Sequence, residues 1–74
     1  MSQKDLYKKI GLRIRELRTQ KEMTQLDVSA HCNFEKTNLS RIEAGRVNST
    51  VNTLNKIALA LEVPLYELFR FNEN

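Results

Sequence analysis

The sequence predicts an all-α fold, a compact bundle of five helices joined by short loops. Three observations lead there. Apolar residues recur at helical spacing along most of the chain, and sustained two-residue alternation is missing. No Asn-Gly or Asp-Gly hairpin turn occurs. Ser or Thr stands three residues ahead of Asp at two expected helix starts, the spacing of a capping box. With 74 residues the expectation is a single domain over residues 1–74. A domain this small removes only about 60–65 % of its unfolded surface from water, so its core must be efficient or shared with a partner.

Ser2 and Asp5 open a first helix expected over about 3 to 21, with Leu6, Ile10, Ile14 and Leu17 on one face. Gly11 beside that face allows another helix to come close. Thr24 and Asp27 open a second, short helix ending near Cys32, with Val28 and Cys32 inward and Leu26 beside them. Asn33 suits the left-handed turn that follows. A third helix over about 36–44 carries Leu39 and Ile42, and Gly45 stands where it should stop. After a polar loop, Thr50 caps a fourth helix whose apolar face reads Val51, Leu54, Ile57, Ala58 and Leu61. Pro64 breaks the chain and opens a fifth helix, Leu65 to about Phe69, leaving residues 71–74 as a flexible tail.

Composition excludes several classes of function. One Cys permits no internal disulfide, which points to a reducing, cytoplasmic compartment. One His and one Cys cannot build a metal site in a single chain. His31 and Cys32 are adjacent, so on a helix they diverge by about 100° and cannot act on one atom. No apolar run approaches the roughly 18 residues of a membrane span. The expectation is a non-enzymatic chain with no cofactor, metal or small-molecule ligand and no membrane contact. Its net charge of +3 is compatible with nucleic acid but decides nothing alone.

Residues 25–44 carry the information. Two short helices separated by a three- to four-residue turn, with the small Ser29 at their crossing and Asn33 in the turn, describe a helix-turn-helix. The stretches Ile10-Gly11-Leu12-Arg13-Ile14-Arg15-Glu16-Leu17-Arg18, Met23-Thr24-Gln25 and Leu39-Ser40-Arg41-Ile42-Glu43-Ala44-Gly45, with residues 54–61, resemble the lambda-repressor-like helix-turn-helix domains of the Xre or Cro/repressor type. The resemblance covers residues 10–69. It implies a five-helix DNA-binding domain whose third helix enters the major groove of double-stranded DNA, acting as a homodimer on a two-fold operator.

Carried over by position, the resemblance makes Gln25 a phosphate ligand at a helix N-terminus, where anions are favoured. It puts Lys36, Thr37, Asn38 and Arg41 on the base-reading face, with Ser40 beside them. Lys and Arg suit guanine O6 and N7, and Asn suits adenine N6 and N7. Arg46 and Asn48 fall where the backbone is touched. Arg18 and Glu43 occupy positions that form a partly buried structural bridge in the family, so Arg18 is not counted toward DNA. The chain departs from the pattern at Glu35, at the cap of the third helix, and at Glu62, where glycine is usual and either a left-handed residue or another cap is implied.

Leu59 lies opposite the apolar face of its helix, and Tyr66 and Phe71 exceed what a short fifth helix can turn inward; a dimer contact of Leu59, Val63, Tyr66, Phe69 and Phe71 accounts for them. The implied function is a transcriptional regulator, of the restriction–modification controller or phage-repressor kind. The alternative is an antitoxin that neutralises a toxin partner and regulates its own synthesis through DNA. The charge is uneven: residues 1–23 hold seven of the twelve basic groups against three acidic ones, and residues 24–50 hold three of each.

Overall fold

The computed structural model describes residues 2–71. Four α-helices follow in order, α1 (Gln3–Gln20), α2 (Gln25–Cys32), α3 (Lys36–Glu43) and α4 (Val51–Ala60), and then a 3₁₀ helix, Leu65–Phe69. The expected fifth α-helix is therefore one tight 3₁₀ segment. Only five residues separate Pro64 from the non-helical Arg70, too few for an α-helical ladder. Of the expected flexible tail, residues 72–74 lie outside the described part of the chain.

The caps act where the sequence places them. Ser2 Oγ accepts from the Asp5 N–H at 3.1 Å. At α2 both arms of the box form: Asp27 N–H donates to Thr24 Oγ1 at 3.0 Å, and Thr24 N–H donates to Asp27 Oδ2 at 2.8 Å. Those bonds hold the Asp27 carboxyl below the ordinary carboxylate range. Asn33 ends α2 in the left-handed region, φ 59°, and the Phe34 N–H returns to the Ser29 carbonyl at 3.1 Å. Thr50 Oγ1 accepts from the Thr53 N–H at 3.1 Å. Glu35 departs from expectation: it occupies the N-cap of α3 but makes no side-chain cap bond. Glu62 has φ 58°, the left-handed one of the two alternatives implied by its place after α4, and Glu22 joins it at φ 56°.

One apolar cluster holds the helices together. Ile14 and Leu17 of α1, Val28 and Cys32 of α2, Leu39 and Ile42 of α3, Leu54, Ile57 and Ala58 of α4, and Leu61 and Leu68 beyond it are all buried. Of the residues expected on inward faces, Leu6 and Ile10 of α1 are only half-buried and Val51 lies outside the cluster, as does Leu26, expected beside the inward face of α2. Val51 and Leu26 are 67 % and 62 % exposed. Leu26 precedes Val28 by two residues, about 200° around the helix, so it faces away from the core. Val51, in the first turn of α4, borders an open apolar cavity with Leu6, Ile10, Leu54 and Phe69 and so stays exposed. Ser29 is buried where α2 meets α3, and its hydroxyl donates to the Leu26 carbonyl at 3.1 Å.

Two glycines set how closely α1 lies to the end of α3. A Cβ on Gly11 would stand 2.4 Å from the Glu43 carbonyl oxygen and 2.5 Å from that of Ile42. Gly45, with φ +73°, would put a Cβ 2.7 Å from the Lys8 Cα. Both obstacles are backbone, so neither side can yield locally.

Gly11→Ala should therefore push α3 off α1 and cost about 1–3 kcal/mol in urea unfolding, as overpacking does. The Asp27 carboxylate adds stability that is complete above its unfolded-state pKa and lost as the pH falls through its lower folded value. Wild type should thus exceed Asp27→Asn in stability at neutral pH. The difference should begin to shrink below roughly pH 4 and close only once the pH falls past the lower folded value, measured by urea unfolding across pH.

Candidate nucleic-acid interface

The ends of three helices meet at one buried carboxylate. Glu43, 7 % exposed at the last turn of α3, accepts from Arg18 Nε at 2.8 Å and from Arg18 Nη2 at 3.1 Å. Gln25 Nε2, from the first residue of α2, donates to the same carboxylate at 3.0 Å. Arg18 Nη1 donates to the Met23 carbonyl at 2.9 Å, which ties in the loop between α1 and α2. The sequence reading paired Arg18 with Glu43 but missed the Gln25 arm. The Gln25 amide thus has an internal partner through one N–H, and its nitrogen carries a second.

On this frame α3 turns Leu39 and Ile42 inward and leaves Lys36, Thr37, Asn38, Ser40 and Arg41 exposed. Arg46 and Asn48 are exposed in the loop that follows. Among the described residues, none of these seven side chains forms a hydrogen bond or ion pair within the molecule. Their donors and acceptors face outward together, the arrangement needed to read base edges and phosphates. A cleft between α1 and α3 is lined by Arg15, Arg18, Gln25, Ser40, Glu43 and Ala44. Arg15 was absent from the sequence-derived set. Its signal was its place one turn before Arg18, on the side of α1 that borders Gln25.

The surplus charge of residues 1–23 is distributed differently from its count. Arg18 is held by Glu43, and Arg13 by Glu67 and Glu16. The Lys9 ammonium lies over the Phe71 ring, 5.8 Å from its centroid. Lys4, Lys8, Arg15 and Lys21 are exposed. The adjacent His31 and Cys32 separate as the helix geometry requires. His31 is exposed, while Cys32 is buried and burial pushes its thiol pKa up, away from a reactive thiolate.

Away from α3, Leu59 and Tyr66 are each 68 % exposed and Phe69 is 41 % exposed, with Val63 and Phe71 half-buried. These are the five residues expected at a dimer contact, and they lie at the end of α4 and along the 3₁₀ helix and its flanks.

Residues 14–68 match the family described as Helix-turn-helix (HTH_3), a span that includes α2, α3 and α4 entirely. An uncharacterized HTH-type transcriptional regulator, y4dJ, from Sinorhizobium fredii is 42 % identical over 64 residues, covering 86 % of this chain and 83 % of its own. The restriction–modification controller protein C.AhdI from Aeromonas hydrophila superposes with a TM-score of 0.82 at 34 % identity, covering 88 % of this chain and 97 % of that one. A second controller, C.Esp1396I, solved as a tetramer in complex with its natural 35 base-pair operator, gives a TM-score of 0.79 at 34 % identity, covering 86 % and 84 %. With its residues 14–68 matching the family and its helices superposing on these regulators, the chain belongs to the helix-turn-helix family of transcriptional regulators, of the Xre, lambda-repressor-like type.

Proposed function

We propose that the chain is a sequence-specific, non-catalytic regulator that binds a two-fold operator in double-stranded DNA as a homodimer, with α3 in the major groove. The observation that carries this reading is the outward face of α3. Five polar or cationic side chains, from Lys36 to Arg41, stand exposed on a helix whose other face is locked into the core. Arg41 and Lys36 suit guanine, Asn38 suits adenine, and Thr37 suits a thymine methyl or a base edge. The second N–H of Gln25, with Arg15, Ser40, Arg46 and Asn48, supplies phosphate contacts. Few cations per subunit face the DNA in this reading, so binding should weaken only moderately with salt.

The controllers that superpose on the chain favour a restriction–modification controller over a phage-type repressor. Self-association is supported by the exposed Leu59, Tyr66 and Phe69, which would be covered at a two-fold contact. Such a dimer would space its two copies of α3 about one helical turn apart, roughly 34 Å.

Selection of bound duplexes from a random pool should return two-fold sites with half-sites at that spacing. Against such a site, Arg41→Ala should cost about 1–3 kcal/mol and relax preference at one base pair per half-site. Gln25→Ala should weaken all sequences alike. A pool with no enriched sequence, or an Arg41→Ala protein with unchanged preference, would contradict the reading. In sedimentation at tens of micromolar the wild type should run as a dimer and Leu59→Glu as a monomer; a monomeric wild type, with and without DNA, removes the dimer.

A further inference from the structure

The 3₁₀ helix has a consequence for that dimer. With three residues per turn, positions i and i+3 eclipse, so a short 3₁₀ segment sorts its side chains into three unmixed stripes. Leu65 and Leu68 form the inward stripe, half-buried and fully buried. Tyr66 and Phe69 form the outward one. Glu67 is the third, and it faces α1, where Arg13 takes hold of it. An α-helix, turning 100° per residue, would instead displace Phe69 some 60° from Tyr66.

Arg13 grips Glu67 at two points. Its Nε donates to the Glu67 backbone carbonyl at 2.8 Å, and its Nη2 to the Glu67 carboxylate at 2.7 Å. Its remaining Nη1 pairs with Glu16, one turn along α1. Arg70 Nη1 reaches the other carboxylate oxygen of Glu67 at 3.3 Å. The Arg13 and Glu67 side chains are only 13 % and 17 % exposed, so this pair is screened less than a surface bridge. On the core side the buried Leu68 and half-buried Leu65 seat the segment against α4 and α1, and Arg13 supplies its polar tie to α1. Pro64 at its start makes no side-chain cap, and Leu68 is its one fully buried residue.

We propose that Arg13 is a positioning residue for self-association. Bound to both the backbone and the side chain of Glu67, it fixes the rotation of the 3₁₀ helix, so that the outward Tyr66 and Phe69 are presented to a second copy of the chain. This rests on the dimer reading above. It also takes Arg13 out of the DNA-attracting charge of α1. A lysine cannot replace it, since one ammonium does not span a carbonyl and a carboxylate as the guanidinium fork does.

Sedimentation equilibrium of the full chain tests this, with folding followed separately by circular dichroism. Arg13→Gln should raise the dimer Kd about tenfold or more while the monomer keeps its helical content. Glu67→Gln, which leaves the backbone contact in place, should raise it by less, and the double variant should be no weaker than Arg13→Gln alone. Arg13→Lys should resemble Arg13→Gln. In a Leu59→Glu monomer, Arg13→Gln should speed hydrogen exchange at the Glu67 and Arg70 amides without touching α2 and α3. A dimeric wild type whose Kd moves less than twofold in both Arg13→Gln and Glu67→Gln overturns this inference and leaves the dimer reading standing. A monomeric wild type overturns both. If Arg13→Gln fails to fold, Glu67→Gln decides alone: a raised Kd supports the inference and an unchanged one ends it.

Discussion

The interface depends on the Glu43 carboxylate. It lies buried at the end of α3 and accepts three hydrogen bonds, two from Arg18 of α1 and one from Gln25 of α2. Buried ion pairs contribute modestly to net stability, because both charges lose water, but an unpaired buried charge is costly. The Arg18–Glu43 pair therefore acts as a constraint on geometry. Arrangements that separate α1, α2 and α3 at this point strand a charge. Those are the elements that carry Arg15, Gln25 and the face from Lys36 to Arg41.

That constraint matters because the reading elements cannot hold themselves. α2 and α3 have eight residues each, little over two turns, and isolated helices of that length do not persist in water. Their order comes from outside: the apolar cluster beneath them, the Thr24–Asp27 box, the left-handed turn at Asn33, and the close seat of α3 on Gly11. The polar faces are left exposed by the same packing. A helix that buries Leu39 and Ile42 on one side must present Lys36, Thr37, Asn38, Ser40 and Arg41 on the others. The second ion pair, Arg13 with Glu67, plays the matching part further back along α1, where it ties down the 3₁₀ helix.

Much of this was legible in the sequence, for local reasons. Helical periodicity located α1 to α4, and Ser2, Thr24 and Thr50 fixed the starts of α1, α2 and α4. Asn33 and Gly45 mark left-handed positions by residue type, and Glu62 marks either such a position or another cap. The exposed face of α3 followed from the spacing of Leu39 and Ile42, while the base-reading role proposed for it and the Arg18–Glu43 pair came from family resemblance. What stayed hidden was set by tertiary distance. Glu67 lies 54 residues from Arg13, and nothing local marks them as partners. The bond from Gln25 to Glu43 depends on the crossing of α2 over α3. The 3₁₀ form of the last segment, and with it the burial of Leu68, comes from the break at Pro64 and from packing against α1 and α4. Val51 misled because periodicity reports which side of a helix faces inward, not whether its neighbours close over it, and at Val51 they leave an open cavity.

The central claim is that α3 reads DNA while the Glu43 cluster keeps its shape. An NMR titration of the isotope-labelled chain with an operator duplex tests it most directly. The account predicts that the largest shifts fall on Gln25 and residues 36–41, and that the Arg18 Nε–H keeps the slow exchange of a buried hydrogen bond throughout. Shifts centred on α4 and the 3₁₀ helix with α3 unmoved, or loss of the Arg18 signal on binding, would contradict it.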